Sequence, residues 1–347
     1  MIAFTSSGAL RTFPRSLADP RGIPQPMHPK ILALVLLLAA CKNGAAKPPL
    51  QQKEEPAAAA APAAVLARAS GDGRTLTPEE AHRLLPRADI TGLTPEQLGV
   101  LHEVAGDTFD YAGCNSTLAA CLRGDVKDKH APRMARLAGM LIREGLGTGH
   151  VVDMLERYYA SFQGNKRAKL RTDDCAAAGP KDAPVQVVEY SDYQCPHCAT
   201  VSKPLREMVD KTEGKVRLCA KYFPLKQHAQ AGPAAAAAEY AREKGKFWEV
   251  NELFFEHQDD LGDAALKSYA AKLGLDGDEM LKQVHAGKFQ PVIDRHIAEA
   301  SAAGLRATPS VYFNGRSLTL PIKIEYLLFS TEDELEWIRG GGAWEKE

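Results

Sequence analysis

The apolar positions change rhythm several times along the 347-residue chain. After Lys30 comes a continuous apolar run, Ile31 to Ala40. From Cys41 to about Ser70 large apolar residues nearly vanish, and Ala, Pro, Lys, Gln and Glu take over. They then return at helical spacing: Leu98, Leu101, Ala105 and Phe109; Met134, Leu137, Leu141 and Ile142; Val151, Val152, Leu155 and Tyr159. Thr77-Pro78-Glu79-Glu80 and Thr94-Pro95-Glu96-Gln97 each offer a capping hydroxyl, proline at the first helical position and Glu or Gln at the third. The run "GLGTG" at 145–149 ends one stripe. Residues 75–165 therefore predict a small bundle of three or four helices.

From Pro184 the period shifts toward strands. "PVQVVEY" is a run of β-branched residues, and "KVRLCAKYFPL" is a second one. Between them "CPHCATVSKPLREMVDKTEG" predicts a helix kinked at Pro204. Residues 226–303 read as helical and alanine-rich, with a break at "KLGLDGDE". "PSVYFNGRSLTL" predicts two strands joined by a tight turn at Asn314-Gly315. A last helix is expected to start at Thr331, with Glu334 completing a third capping box. The order β-α-β, helical insert, β-β-α predicts an α/β domain over 176–340 with an inserted helical subdomain at 226–303.

The early apolar run would cover roughly 15 Å as a helix, about half of a ~30 Å bilayer core. It has the dimensions of a signal-peptide core, so 27–40 is read as a signal and 41–72 as a tether. Residues 1–26, with Arg11, Arg15 and Arg21, fit no signal pattern, and Met27 is read as the start. Leu38-Ala39-Ala40-Cys41 resembles the lipobox of bacterial lipoproteins, which implies lipidation of Cys41. An ordinary signal with an incidental cysteine is the alternative. By the same family analogy Lys42, where an aspartate would retain the protein, favours the outer membrane.

Charge adds little: 43 Lys+Arg against 44 Asp+Glu, without a long basic run, gives no electrostatic reason for a nucleic-acid partner. Seven cysteines are too few for a disulfide scaffold in a chain this long. They matter individually. Cys195-Pro196-His197-Cys198 is open to three readings. A structural zinc site wants a second such pair, which the sequence lacks. A purely structural bridge across two residues removes little unfolded-state entropy. The redox reading explains more. Cys195 falls at a strand-to-helix junction, where free N–H groups and the helix dipole favour a thiolate. Cys198, in the first turn, is the buried partner, and His197 can add to the stabilisation. A stabilised thiolate makes the disulfide more oxidising, about 30 mV for each 1.4 kcal/mol, so the spacer leans toward a donor of disulfides.

"VEYSDYQCPHC", taken with "RLCAKYFPL", "GKFWEVNELFFEHQDDL" and "ATPS", resembles the DsbA-like branch of the thioredoxin superfamily over roughly Ala176 to Trp337. The resemblance implies a thioredoxin fold with an inserted helical subdomain, preceded here by a small all-α bundle. It implies that Thr308-Pro309 is the substrate-facing cis-proline loop opposite the sulfurs. It further implies that Glu189 is a buried acid moving a proton to or from Cys198. Phe223-Pro224-Leu225 and His228 would edge the groove beside the cysteines. His228, His257, His285 and His296 have no metal spacing. Cys219 and Cys175 depart from the family pattern. In an oxidising compartment the four remaining cysteines suggest two structural bridges, and proximity favours Cys114–Cys121 and Cys175–Cys219. Cys219 as a plain buried residue is the rival reading.

"CNSTLAACLRGDVKDKHAPRMARLAGMLIREGLGTGHVVDMLERYYASF", Cys114 to Phe162, is similar to the three-helix domain of CcmH/CycL proteins. It lacks their C-x-x-C: Cys121 stands seven residues after Cys114, about two helical turns, which does not make a short redox loop. The combined expectation is a periplasm-facing, lipid-anchored thiol–disulfide oxidoreductase acting on cysteine-containing exported proteins, with a separate redox partner. No metal or organic cofactor is required. Two rivals are a reductase or isomerase serving a dedicated pathway such as cytochrome c maturation, and a non-catalytic peptide-binding or chaperone lipoprotein. Copper handling is a fourth reading.

Overall fold

A computed structural model of the chain describes residues 73–112, 114–124, 128–162 and 167–344. The signal segment, the tether and Cys41 lie outside the described residues.

The N-terminal part is helical: α1 (Pro78–Leu84), α2 (Pro95–Asp107), α3 (Leu118–Arg123), α4 (His130–Arg143) and α5 (Thr148–Ala160). Both Thr-Pro caps form reciprocal boxes. The Thr77 hydroxyl accepts from Glu80 N at 3.2 Å while Glu80 Oε2 accepts from Thr77 N at 2.8 Å. Thr94 and Gln97 repeat this at 3.3 and 3.0 Å. The stripes of α2, α4 and α5 meet in one core of Leu101, Ala105, Met134, Leu137, Leu141, Ile142, Val151, Leu155 and Tyr159. Two expectations need correction. The bundle has five helices among the described residues, because "LAACLR" forms a short extra one capped by Thr117. Phe109 is not a stripe member: α2 ends at Asp107, the chain turns extended to pair Phe109 with Thr117, and the ring is 68% exposed.

The α/β part follows as β1 (Ala176–Ala178), β2 (Val185–Ser191), α6 (Pro196–Lys211), β3 (Val216–Tyr222), the helices α7 (Ala231–Glu243), α8 (Phe247–Glu256), α9 (Asp263–Lys272), α10 (Gly277–His285) and α11 (Gln290–Ala302), then β4 (Ser310–Phe313), β5 (Arg316–Ser317) and α12 (Ile324–Arg339). The sheet order is β1-β3-β2-β4-β5. β2 and β3 are parallel, joined through α6, and the other neighbours are antiparallel. Asn314 and Gly315 take positive φ, 47° and 80°, at the β4–β5 turn. Such dihedrals fit a type I′ hairpin. A side chain at 315 would also collide with the Ala168 carbonyl.

The last helix begins at Ile324, seven residues before Thr331, which corrects the third capping box. The apolar residues of "IEYLLF" extend it backward. Thr331 is buried mid-helix and donates its hydroxyl to the Leu327 carbonyl at 2.9 Å instead of capping. Tyr326 and Phe329 pack into the bundle core, while Leu327 packs with the sheet residues Val187, Val311 and Phe313. α12 thus belongs to both cores.

A buried polar seam reinforces that joint. Arg133 Nε donates to Asp333 Oδ1 at 2.7 Å, and the Tyr158 hydroxyl donates to Asp333 Oδ2 at 3.0 Å. Burial pushes the Asp333 carboxyl upward, and the Arg133 charge opposes it. Arg316, with no exposed side-chain surface, meets Glu334 at 3.1 Å and lies over the Phe162 ring at 3.9 Å. Arg167 reaches the same carboxylate at 2.5 Å.

Both structural disulfides named above are present: Cys114–Cys121 within the bundle, and Cys175–Cys219 between the segment before β1 and the centre of β3. The second closes the longer loop, a sequence separation of 44 against 7, and so constrains the unfolded chain more.

Candidate active site

β2 and β3 lie side by side with Glu189 opposite Ala220, and β2 ends at Ser191. A turn of three residues then delivers Cys195 as the N-cap of α6, with Pro196 at the first helical position. Proline suits that place because its missing N–H would be unpaired there anyway. The turn is held from both sides: Cys195 N donates to the Asp192 carbonyl at 3.1 Å, and Gln258 Nε2 donates to the carbonyls of Tyr193 and Cys195 at 2.7 and 2.8 Å.

Cys195 and Cys198 stand as free thiols. Cys195 is 5% exposed and Cys198 fully buried. The Thr308–Pro309 peptide is cis, and the Thr308 carbonyl accepts from Cys195 Sγ at 3.4 Å. The chain before β4 therefore lies directly against the first sulfur. The Thr308 hydroxyl is buried without a hydrogen-bond partner.

These surroundings drive the two thiols apart in acidity. Cys195 is lowered to about 5, first by the hydrogen bond it takes from the Cys198 thiol, against the cost of its burial. The backbone N–H groups of Cys198 and His197 add to the lowering. Cys198 is driven upward, first by its hydrogen bond to Cys195 and then by desolvation. Pro196 and the His197 side chain are exposed, so the described contribution of His197 to the thiolate is its backbone N–H.

Glu189 is 4% exposed, and its Oε1 has no hydrogen-bond partner. It lines a small cavity together with Ser191, Tyr193, Lys221 and Asn251. Desolvation raises its carboxyl to about 7, with Ser191 opposing. The Ser191 hydroxyl lines the same cavity, buried and without a hydrogen-bond partner among the described residues. The sequence reading passed over Ser191; its place at the end of "VEYS", where β2 meets the cysteine turn, was the available signal.

The Glu189 shift has a stability consequence. Between about pH 4.5 and 7 the unfolded chain ionises this carboxyl while the native state keeps it protonated, so native stability falls as pH rises through that window. The penalty is fully present above it. Glu189→Gln removes the penalty, and the variant should exceed the parent by about 3 kcal/mol at pH 8 and match it at pH 4. Urea unfolding at the two pH values measures this.

The sequence-flagged histidines do not converge. His228 Nδ1 meets Asp192 Oδ2 at 2.8 Å, and His285 meets Asp263 at 3.0 Å. His296 is held by Tyr222 N and the Asp174 carbonyl, and His257 stacks on Tyr269. Phe223 packs in the cluster that holds Tyr190 and Cys219.

Residues 171–328 match the thioredoxin family model. They carry a thioredoxin fold. CPHC stands at its helix start, and the α7–α11 insert lies between β3 and the cis-proline loop. Similar curated proteins are the Na⁺/H⁺ antiporter NhaA 3 of Salinispora tropica, 39% identical over 151 residues, and NhaA of Herminiimonas arsenicoxydans, 33% identical over 141 residues. The matches take in 43% and 40% of this chain but 23% and 22% of those proteins, so the chain spans under a quarter of their length. Among solved structures, oxidised BdbD from Bacillus subtilis is 22% identical with a TM-score of 0.45, covering 49% of this chain and 97% of that one. Wolbachia pipientis α-DsbA1 is 20% identical with a TM-score of 0.43, covering 49% and 96%.

Proposed function

We propose that the chain is a lipid-anchored, periplasm-facing oxidant that passes disulfides to cysteine-containing exported proteins through Cys195 and Cys198. The observation that carries this reading is the placement of the pair: Cys195 caps α6 against the Thr308 carbonyl and Cys198 is fully buried, surroundings that lower the first thiol and raise the second. Two further bridges agree with an oxidising compartment. The anchor rests on the Leu38-Ala39-Ala40-Cys41 sequence. Among the described residues no helix is long and apolar enough to cross a membrane.

In the disulfide form, a client thiolate attacks Cys195 Sγ. The Cys195–Cys198 bond breaks, and Cys198 leaves with the electron pair, taking a proton from Glu189. A second client thiolate then attacks the client sulfur of the mixed disulfide. Cys195 departs as a stable thiolate, and the client holds the new bond. Thr308 and Pro309 present their backbone to the client beside the reacting sulfur. Turnover needs a disulfide-carrying partner to re-oxidise the pair.

Equilibration with glutathione tests the direction. A stabilised Cys195 thiolate favours the dithiol, so the potential should lie above roughly −200 mV, on the DsbA side of the scale. A value near the thioredoxin figure of about −270 mV would replace the oxidant with a reductase.

A further inference from the structure

We propose that Asp192 is the positioning residue for Cys195, with His228 anchoring it from the facing loop. This deepens the oxidoreductase reading and rests on it. Asp192 stands three residues before the nucleophile, and its side chain has no exposed surface. Every oxygen it owns is engaged at the cysteine turn. Oδ1 accepts from Gln194 N at 2.7 Å. Oδ2 accepts from Leu225 N at 2.7 Å and from His228 Nδ1 at 2.8 Å. Its carbonyl accepts from Cys195 N. A carboxylate is an acceptor only, so His228 carries its proton on Nδ1 toward Asp192. The neighbouring Gln194 repeats the stitch: its Oε1 accepts from Gln230 N at 2.6 Å. The turn that ends on Cys195 is therefore sewn to the loop 223–230, and Asp192 is the knot.

Charge alone would make an acid a poor choice here. A negative group beside a thiol disfavours its thiolate, yet Cys195 is the acidic sulfur of the pair. What Asp192 supplies is geometry. Three donors converge on one short side chain, and they set where the turn stops and where Cys195 Sγ sits against the N–H groups of His197 and Cys198. Loosened, the sulfur drifts from those N–H groups and its thiolate weakens. The positional role and the charge role thus predict opposite signs, which makes them separable.

The test uses the full chain carrying Asp192→Ala, Asp192→Asn or His228→Gln. It reads Cys195 acidity from thiolate absorbance, the glutathione equilibrium, and folding by circular dichroism. Asp192→Ala should raise the Cys195 midpoint by about one unit and shift the equilibrium about tenfold toward the disulfide. Asp192→Asn keeps the shape and one acceptor oxygen, so it should give a smaller rise. His228→Gln should give the smallest. A folded Asp192→Asn whose midpoint falls or stays unchanged overturns the proposal, and this arm decides even if the alanine variant fails to fold. Wild-type protein that is inert, with Cys195 as weakly acidic as free cysteine, would instead defeat the functional reading. An active, acidic wild type with unresponsive Asp192 variants defeats only the positioning role.

Discussion

Replacing Cys195 with alanine should reduce dithiol oxidation to the uncatalysed background, a loss of at least roughly a thousandfold. Cys198→Ala should instead leave Cys195 joined to client proteins as mixed disulfides, formed when its thiolate attacks a client disulfide and one client sulfur leaves as the thiolate. The asymmetry follows from the site. Cys195 lies at the helix mouth against the Thr308 carbonyl and keeps 5% of its surface exposed, whereas Cys198 is fully buried. Removing the first sulfur removes the point of attack. Removing the second removes the group that releases a stalled intermediate. Oxidation of a dithiol peptide measures the first effect, and non-reducing gels with mass spectrometry identify what the second captures. If the Cys195 variant kept its activity, or Cys198→Ala trapped nothing, the exchange mechanism would be wrong.

Arg316→Met should be the most damaging substitution away from the sulfurs, costing about 3–5 kcal/mol. Arg316 is buried at the short strand β5, paired with Glu334 on α12 and lying over Phe162 at the end of the bundle. Its Nη1 also reaches the Ser161 hydroxyl at 3.2 Å. Methionine fills part of the volume but leaves Glu334 buried with, among the described residues, Arg167 and Asn314 as its partners. Breaking this pair from one side is expensive because a fully buried carboxylate loses one of its two guanidinium partners. The cost is read by urea unfolding. A change below about 1 kcal/mol, the range of an exposed ion pair, would mean that the seam is not structural.

The parts of this fold legible in the sequence were those written in local chemistry. Thr77 and Thr94 announced their helices because a capping box is complete within four residues. The β2–α6–β3 order and the Asn314-Gly315 turn were equally local. Thr331 misled for the same reason. Its residues match a capping box, but Tyr326, Leu327 and Phe329 bury on two sides and carry the helix through it. Tertiary packing overrides the local signal there. Phe109 shows the reverse error, an apolar residue at the right spacing two residues past the end of its helix.

The site divides along the same line. Cys195, Cys198 and the Thr308–Pro309 loop carry distinctive dipeptides, and the structure brings them together. Glu189 stands in a strand where alternation alone does not say which face is buried. Asp192, Ser191 and Gln258 carry no motif. They matter because of what Leu225, His228 and the Cys195 carbonyl bring to them from distant positions. β1 was missed because three alanines have no strand signature; its pairing with β3, beside the Cys175–Cys219 bridge, defines it.

Exchange through this pair requires a sulfur kept anionic at the start of α6. Titrating the reduced protein by thiolate absorbance, with Cys195→Ala as the reference that should lack the low transition, tests this most directly. The wild-type protein should show a midpoint near pH 5. A single transition near the ordinary cysteine value of about 8.5 would contradict it.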